Sequence, residues 1–453
     1  VGLEREHGPQ CENVVQPRER IGTGASSSGR EEVFVRKGHN LLAVGDYNQA
    51  VILDLIRRAA VGLSRVEIAV ETGLSAQTVS NVARRLLDAG LVREAGKLIA
   101  GPGKPRTLLQ LQPTSRYAVG VHLDPTVVTF TLLDLAGSIV ADHRIPTPSA
   151  ADPDTVIAVM AEEIRALLDR EGVVSGLVLG VGIAAPGPLD SAQGILLDPP
   201  LLEGWKEVPL RDALAAATGF PVVLEKDVTA AAVAELWVDS GSQRDNFAFL
   251  YYGTGLGIGL VVDHDVLRGA SDNAGDMGHL MVRADGPVCS CGRRGCVGDL
   301  VVPFRLVQRA IAAGVLGSSL SLDEPLDGPV HPFDFDATDL RFTEFAAAAR
   351  RGEPAAVAIA DDAAANIARA LVSIVNLLDI DHVVCGGPFW SRMAPVMQGR
   401  IERLVAEDPA LIPSHPVVVE SSSIGEDVAA VGAGCLVLDQ TLSPRPSALL
   451  IAG

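Results

Sequence analysis

Three cysteines, Cys289, Cys291 and Cys296, crowd into eight residues, and His279 precedes the first of them by ten. Three soft thiolates and one imidazole at this spacing predict a tetrahedral structural zinc site, one per chain, with no open position for an activated water. Gly292 and Gly295 let the loop fold back so that both ends reach one ion. Reduced, buried cysteines are the alternative. A second feature, Gly253-Thr254-Gly255-Leu256-Gly257, is a glycine-rich turn between apolar runs. Its backbone N–H groups could cradle a phosphate, or its glycines could serve strand packing alone. Gly386-Gly387 is ambiguous in the same way.

A third constellation is a polar stripe. If Val79, Val82, Ala83 and Leu86 form the buried face of a helix, Gln77, Asn81 and Arg84 stand on the opposite face at i, i+4 and i+7. Such groups reach base edges and phosphates. The expected DNA-contacting set is Gln77, Thr78, Ser80, Asn81, Arg84 and Arg85, followed by Lys104 and Arg106. Between Tyr47 and Leu109, nine Lys/Arg stand against five Asp/Glu, although the whole chain has 37 Lys+Arg, 56 Asp+Glu and a net charge of −19. A diffuse cationic binder is excluded, and a local basic patch is what remains.

The elements that must position these residues follow from the periodicities. Val51, Ile52, Leu55 and Ile56 recur at helical spacing, a second short helix runs from Ser64 to about Glu71, and a third starts after Gly73 with Ser75 as N-cap and Gly90 as stop. Leu91–Arg93, a turn at Ala95-Gly96 and Lys97–Ile99 predict a β-hairpin wing, with Gly101–Pro105 as a hinge. Three short helices and a hairpin make a winged helix-turn-helix. A solvated helical bundle is the alternative.

From Tyr117 the period becomes strand-like. A meander over Ala118–Leu123, Val127–Asp134 and Ser138–His143, a helix at Pro153–Arg170 and a strand at Leu177–Ile183 are expected. A similar order recurs at Phe247–Tyr252, Ile258–Val262, a hairpin at Asp263–Arg268 and a strand at His382–Cys385, which predicts two lobes around a cleft. With 453 residues, 48% hydrophobic and 21% charged, the chain exceeds one ordinary core and is not a disordered or fibrous protein. The division expected is a disordered tail over 1–38, the winged helix over 39–112, a first lobe over 113–240 to which 424–453 returns, and a second lobe over 241–423 with the zinc loop. Leu320 to Asp339 reads as a surface insertion. The apolar stretches are broken by glycine and proline, no export signal is visible, and a cytoplasmic protein is expected.

These residues together resemble the ROK family of repressors, open reading frames and sugar kinases, within the actin-like ATPase superfamily. The resemblance covers about Leu41 to Gly434. It rests on Gly182-Ile183-Ala184-Ala185-Pro186-Gly187-Pro188-Leu189-Asp190, Gly204-Trp205, Glu225-Lys226-Asp227-Val228-Thr229, Gly253–Gly257, Gly275-Asp276-Met277-Gly278-His279 and the Cys289–Cys296 signature. It implies an α/β fold of two actin-like lobes preceded by the DNA-binding winged helix, with Lys226, Asp227, Asp276 and His279 as effector-binding residues.

Departures from the family pattern refine this. Where family kinases carry Asp-x-Gly-Gly-Thr, this chain reads His122-Leu123-Asp124-Pro125-Thr126, and proline removes a donor and fixes φ. Asp227, the general base of the kinases, remains as a relic, but its Asn partner is Lys226. The family Glu before Met-Gly-His is Asp276, the Glu after the last cysteine is Gly298 with Asp299 beside it, and the Asn before Gly-Trp is Pro200. No catalytic residue is therefore assigned, and Gly253, Thr254, Gly255 and Gly257 become relics of a phosphate loop. Asp227 and Asp276 could instead cap helices or pair with Lys226.

The function expected is a zinc-containing DNA-binding transcriptional regulator, a repressor acting as a homodimer or homotetramer on double-stranded operator DNA. It would answer to a sugar or phosphorylated sugar, without enzyme activity. The alternatives are an ATP-dependent sugar kinase with a fused DNA-binding head, and a regulator that responds to a protein partner.

Overall fold

The computed structural model describes residues 41–98, 105–148, 152–200, 202, 204–238, 244–317 and 335–442. The tail over 1–38, most of the 320–339 insertion, Gly101–Lys104 and residues 443–453 lie outside them.

The head comprises α1 (Leu41–Arg58), β1 (Leu63–Ser64), α2 (Arg65–Thr72), α3 (Ala76–Asp88), β2 (Val92–Leu98) and β3 (Arg106–Leu111). Ser64 and Glu67 form a reciprocal capping box at the start of α2, Ser75 caps α3, and Gly90 leaves the helix at φ 70°. Val79, Val82, Ala83 and Leu86 are buried as the periodicity requires, against Ile52 and Ile56 of α1 and Ile68 of α2. The wing differs from expectation. Its strands are 92–98 and 106–111, paired antiparallel, and Ala95-Gly96 is an irregularity between Glu94 and Lys97, not a turn. With Gly96 at φ 120°, the extra residue is absorbed as a bulge and the strand continues. The sheet order is β1-β3-β2.

The first lobe contains β4 (Tyr117–Leu123), β5 (Val127–Asp134), β6 (Ile139–Pro146), α4 (Pro153–Arg170), β7 (Val178–Ala185), β8 (Leu189–Asp190), β9 (Ile195–Leu196), α5 (Leu210–Thr218), β10 (Val222–Lys226) and α6 (Asp227–Val238). The second contains β11 (Phe247–Tyr252), β12 (Leu256–Val262), β13 (Asp265–Val266), α7 (Val297–Val301), α8 (Pro303–Ala312), α9 (Phe335–Arg350), α10 (Pro354–Leu378), β14 (His382–Gly386), α11 (Trp390–Ala406) and β15 (Val418–Ser421). The final helix, α12 (Val428–Leu442), returns to the first lobe and packs on β4, β7 and α6.

The main sheets run β10-β7-β4-β5-β6 and β13-β12-β11-β14-β15. In each, three antiparallel strands that follow one another in sequence are extended by two parallel ones, so the duplication suspected from the sequence is one topology used twice. The parallel strands are buried on both faces, which is why they read as apolar runs without alternation.

Glycines set the spacing of this framework. A Cβ on Gly182 would overlap the carbonyl of Ala433, and one on Gly432 would overlap the carbonyl of Ala230, so α12 sits backbone to backbone on both the sheet and α6. Gly432→Ala gains about 1 kcal/mol of helix propensity. That gain is smaller than the cost of forcing the two helices apart, about 1–3 kcal/mol for overpacking. The variant should therefore melt below the wild type in a thermal scan, whereas Gly255→Ala, whose Cβ meets nothing within 4 Å, should leave the midpoint unchanged.

Candidate metal centre, cleft and nucleic-acid interface

The Cys289–Cys296 loop closes on itself by backbone bonds. Cys289 N–H donates to Arg293 O at 2.7 Å and Gly295 N–H to Pro287 O at 2.9 Å, with Gly292 and Gly295 at φ 83° and 67°. No side chain fits at Gly295, because its Cβ would overlap the Arg283 carbonyl. This folding brings His279, Cys289, Cys291 and Cys296 together, with all four ligand atoms within 4.8 Å of one another. Cys289 Sγ lies 3.5 Å from His279 Nδ1, and Cys291 Sγ lies 3.6 Å from Cys296 Sγ. A tetrahedron with metal–sulfur bonds of roughly 2.3 Å has edges of about 3.7 Å, so the donor set has the size and chemistry of a closed Cys3His site. The Arg293 N–H lowers the Cys291 thiol below its ordinary value, while burial pushes Cys296 up to about 12. A cation at the centre would supply the charge that three thiolates need.

Asp227 heads α6 and faces the cleft. Its Oδ1 accepts the Val228 N–H at 2.7 Å, and burial raises its carboxyl above the usual range, opposed by His122 and Lys226 and reinforced by Asp124. Lys226 is buried, and its ammonium donates to the carbonyls of Asn273 and Ala274 at 3.2 and 3.3 Å. Asn273 in turn bonds both the N–H and the carbonyl of Leu189. These contacts tie the second lobe to the first beside Asp227. Asp276 and His279 are both exposed and follow Gly275, which is held at φ 89° against Ile258.

The loop at Asp124-Pro125-Thr126 is satisfied by its own groups. Asp124 Oδ1 accepts from Thr126 N and Oγ1 at 2.9 and 2.6 Å, and Thr254 Oγ1 donates to Asp124 Oδ2 at 3.2 Å across the cleft. The glycines expected to cradle phosphate divide by role. Gly257 is pressed against Val228 and Gly253 against the Tyr251 ring, while Gly255 is exposed at the tip. Gly298 lies against the Gly278 backbone, leaving no room for the longer side chain of the family pattern. Asp299 does not replace it: Arg305 binds its Oδ1 through Nε and Nη2 at 3.1 and 2.9 Å inside the second lobe. On β6, Arg144 bridges to Glu426 and Asp427 at one wall of an interlobe cavity of about 630 Å³.

Tyr251 and Asn273 are cleft residues that sequence reasoning missed. Tyr251 Oη lies 3.5 Å from His122 Nε2, and burial pushes its hydroxyl far above the usual range. Neither residue stands in a recognisable motif, since each acts through a partner more than 80 positions away.

On the head, Gln77, Asn81, Arg84, Arg85 and Arg106 are exposed, and Thr78 and Ser80 are half-buried. Gln77 Nε2 donates to Asn81 Oδ1 at 3.1 Å, which aligns the two amides along one face of α3. Lys104 lies outside the described residues.

A winged helix followed by two lobes of equal strand order and a Cys3His loop is a ROK fold with a DNA-binding head. Residues 118–440 match the ROK family and residues 46–97 the MarR family, and the chain belongs to the ROK family. It is 31% identical over 324 residues to a glucokinase of Thermotoga maritima, covering 71% of this chain and 97% of the relative. It is 28% identical over 266 residues to the xylose repressor of Bacillus subtilis, covering 59% and 66%. In fold it is similar to a crystal structure of a ROK family transcriptional regulator, a homolog of the E. coli MLC protein. The TM-score is 0.70 at 24% identity, over 88% of this chain and 98% of that one.

Cys296→Ser should strip the metal from the purified chain and lower its melting midpoint, as elemental analysis and a thermal scan would report. A wild-type chain that is metal-free as purified and indifferent to chelators would rule the site out.

Proposed function

We propose that this protein is a transcriptional repressor whose winged helix binds operator DNA and whose cleft senses a sugar or phosphorylated sugar, with kinase activity lost. The observation that carries the DNA-binding reading is α3. Its apolar face is buried in the head while Gln77, Asn81 and Arg84 present two amides and a guanidinium outward. One such helix reads only a few base pairs, so the working unit is a homodimer or homotetramer with paired heads. The compartment in this reading is the cytoplasm. The metal that three thiolates and an imidazole select is zinc, which orders the loop bearing His279.

Loss of phosphoryl transfer follows from the state of the cleft. Transfer requires the moving phosphoryl group to be positioned and its charge stabilised. The Asp124 turn spends its carboxylate on Thr126 and Thr254, and the ligands at positions 298 and 299 are missing or turned inward. Sugar binding needs less. Asp227, Asp276 and the His279 Nε2 left over by metal ligation are hydroxyl partners. Lys226 makes an anionic effector reasonable, so Lys226→Asn should weaken a sugar phosphate more than a neutral sugar in calorimetric titrations. The kinase reading is favoured by the glucokinase relative and by the retained Asp227.

Two measurements decide between them. With a duplex selected from a random pool, Arg84→Ala and Asn81→Ala should each cost about 1–3 kcal/mol of affinity if each makes a good base contact. Unaltered binding by both would end the assignment of α3 as the reading helix. With ATP and D-glucose, no phosphorylation is expected; turnover of about 1–100 per second, abolished by Asp227→Ala, would establish the kinase instead.

A further inference from the structure

α6 begins at Asp227 in the cleft and ends beneath the DNA-binding head. Its twelve residues span about 18 Å at the α-helical rise. Val228 to Glu235 and Trp237 are buried, so the helix is held along almost its whole length. Gly259 of β12 takes its N-terminal turn, where a Cβ would overlap the Val228 carbonyl, and Gly432 of α12 takes its middle at Ala230. At Val228 and Ala230 no side-chain layer separates its backbone from the neighbours, so a displacement there passes directly between backbones.

At the far end, Trp237 is gripped on three sides. Its indole Nε1 donates to the Ala136 carbonyl at 3.3 Å, and a Cβ on Gly137 in the same turn would overlap the ring. The guanidinium of Arg57, from α1 of the head, lies 4.1 Å over the ring centroid, and its Nη1 donates to the Trp237 carbonyl at 3.2 Å. Asp54 fixes that guanidinium through Oδ1 at 2.9 and 3.1 Å, and the Arg57 side chain is only 6% exposed. The apolar core is continuous here, running from Ile52 and Ile56 to Trp237 and Val437. A planar cation stacked on indole while bonding the backbone below it is a directional contact, and a shift of Trp237 changes both parts together.

We infer that α6 is the rod through which occupancy of the cleft at Asp227 reaches the DNA-binding head, with Trp237 and Arg57 as the positioning residues that hand its displacement to α1. The inference rests on the regulator reading, since it supplies the route by which an effector in that cleft would alter the head. It needs no disorder in the head. An effector that bonds Asp227 draws on the first turn of α6, and the only stacked partner at the other end belongs to α1 among the described residues.

Hydrogen exchange followed by mass spectrometry on the full chain tests this. Asp227→Asn should change exchange in the α1 peptides over 41–58 by about fivefold, the lower end of ordinary site-to-site coupling. In Arg57→Gln and Arg57→Lys backgrounds that change should disappear, the lysine variant guarding against simple loss of charge or fold. Unaltered α1 exchange in Asp227→Asn overturns the inference, and so does a change that persists undiminished in both Arg57 backgrounds. D-glucose, D-xylose and D-glucose 6-phosphate form the second arm, with binding measured by calorimetry. A sugar that binds while α1 exchange stays fixed also overturns the rod. If none binds but the Asp227–Arg57 coupling is present, the rod stands and the sugar-effector reading fails.

Discussion

Gly432 meets the carbonyl of Ala230, and Gly120 and Gly182 meet the carbonyls of Ala430 and Ala433, with no side chain between the paired backbones. This contact holds α12 and α6 at a distance that any larger residue would forbid, and the first sheet, the cleft and the docking of the head are all built out from it. It explains why the chain returns to its first lobe after completing the second. Without α12, the faces of β4 and β7 that carry Gly120 and Gly182 would be bare, and α6 would have no support behind Asp227.

The cleft inherits its character from that support. Asp227 is carried into a poorly solvated position by α6, and its neighbours His122, Asp124 and Tyr251 arrive from two other strands and a turn. Hydrogen bonds cross the cleft from Thr254 to Asp124 and from Lys226 to the 273–274 carbonyls. The lobes are linked by the residues that depart from the kinase pattern.

The Cys3His loop contributes order more than chemistry. Its backbone bonds place Gly298 against Gly278 and lead into α7, where the buried Asp299–Arg305 pair anchors the segment to α8. Among the described residues Asp299 Oδ2 is buried without a partner, a cost accepted because Arg305 is held through its other oxygen. The candidate metal ligands, a glycine contact and an ion pair thus follow one another along the segment from His279 to Arg305.

Much of this was legible in the sequence. The three head helices with Ser75 and Gly90 at the ends of α3, the meander, the Pro153–Arg170 helix and the clustering of His279, Cys289, Cys291 and Cys296 all follow from local patterns: caps, periodicity, and donor atoms a few residues apart. The family likeness was carried by short motifs of the same kind. Local patterns misread the wing, because a left-handed Gly96 suits a turn and a bulge equally and only pairing with 106–111 chooses between them. They also leave open where cationic residues bond. Arg57 counts toward the basic head by composition, yet its guanidinium is bound to Asp54 and stacked on Trp237, 180 positions away. Lys226 beside Asp227 suggests a charge for a ligand, and two of the bonds its ammonium makes go to carbonyls 47 and 48 residues on, which the sequence does not announce. Sequence fixes which groups exist and how neighbours along the chain are spaced. Which cation meets which acceptor depends on packing between distant segments, and here that packing is set by backbone contacts at glycines whose partners no local pattern names.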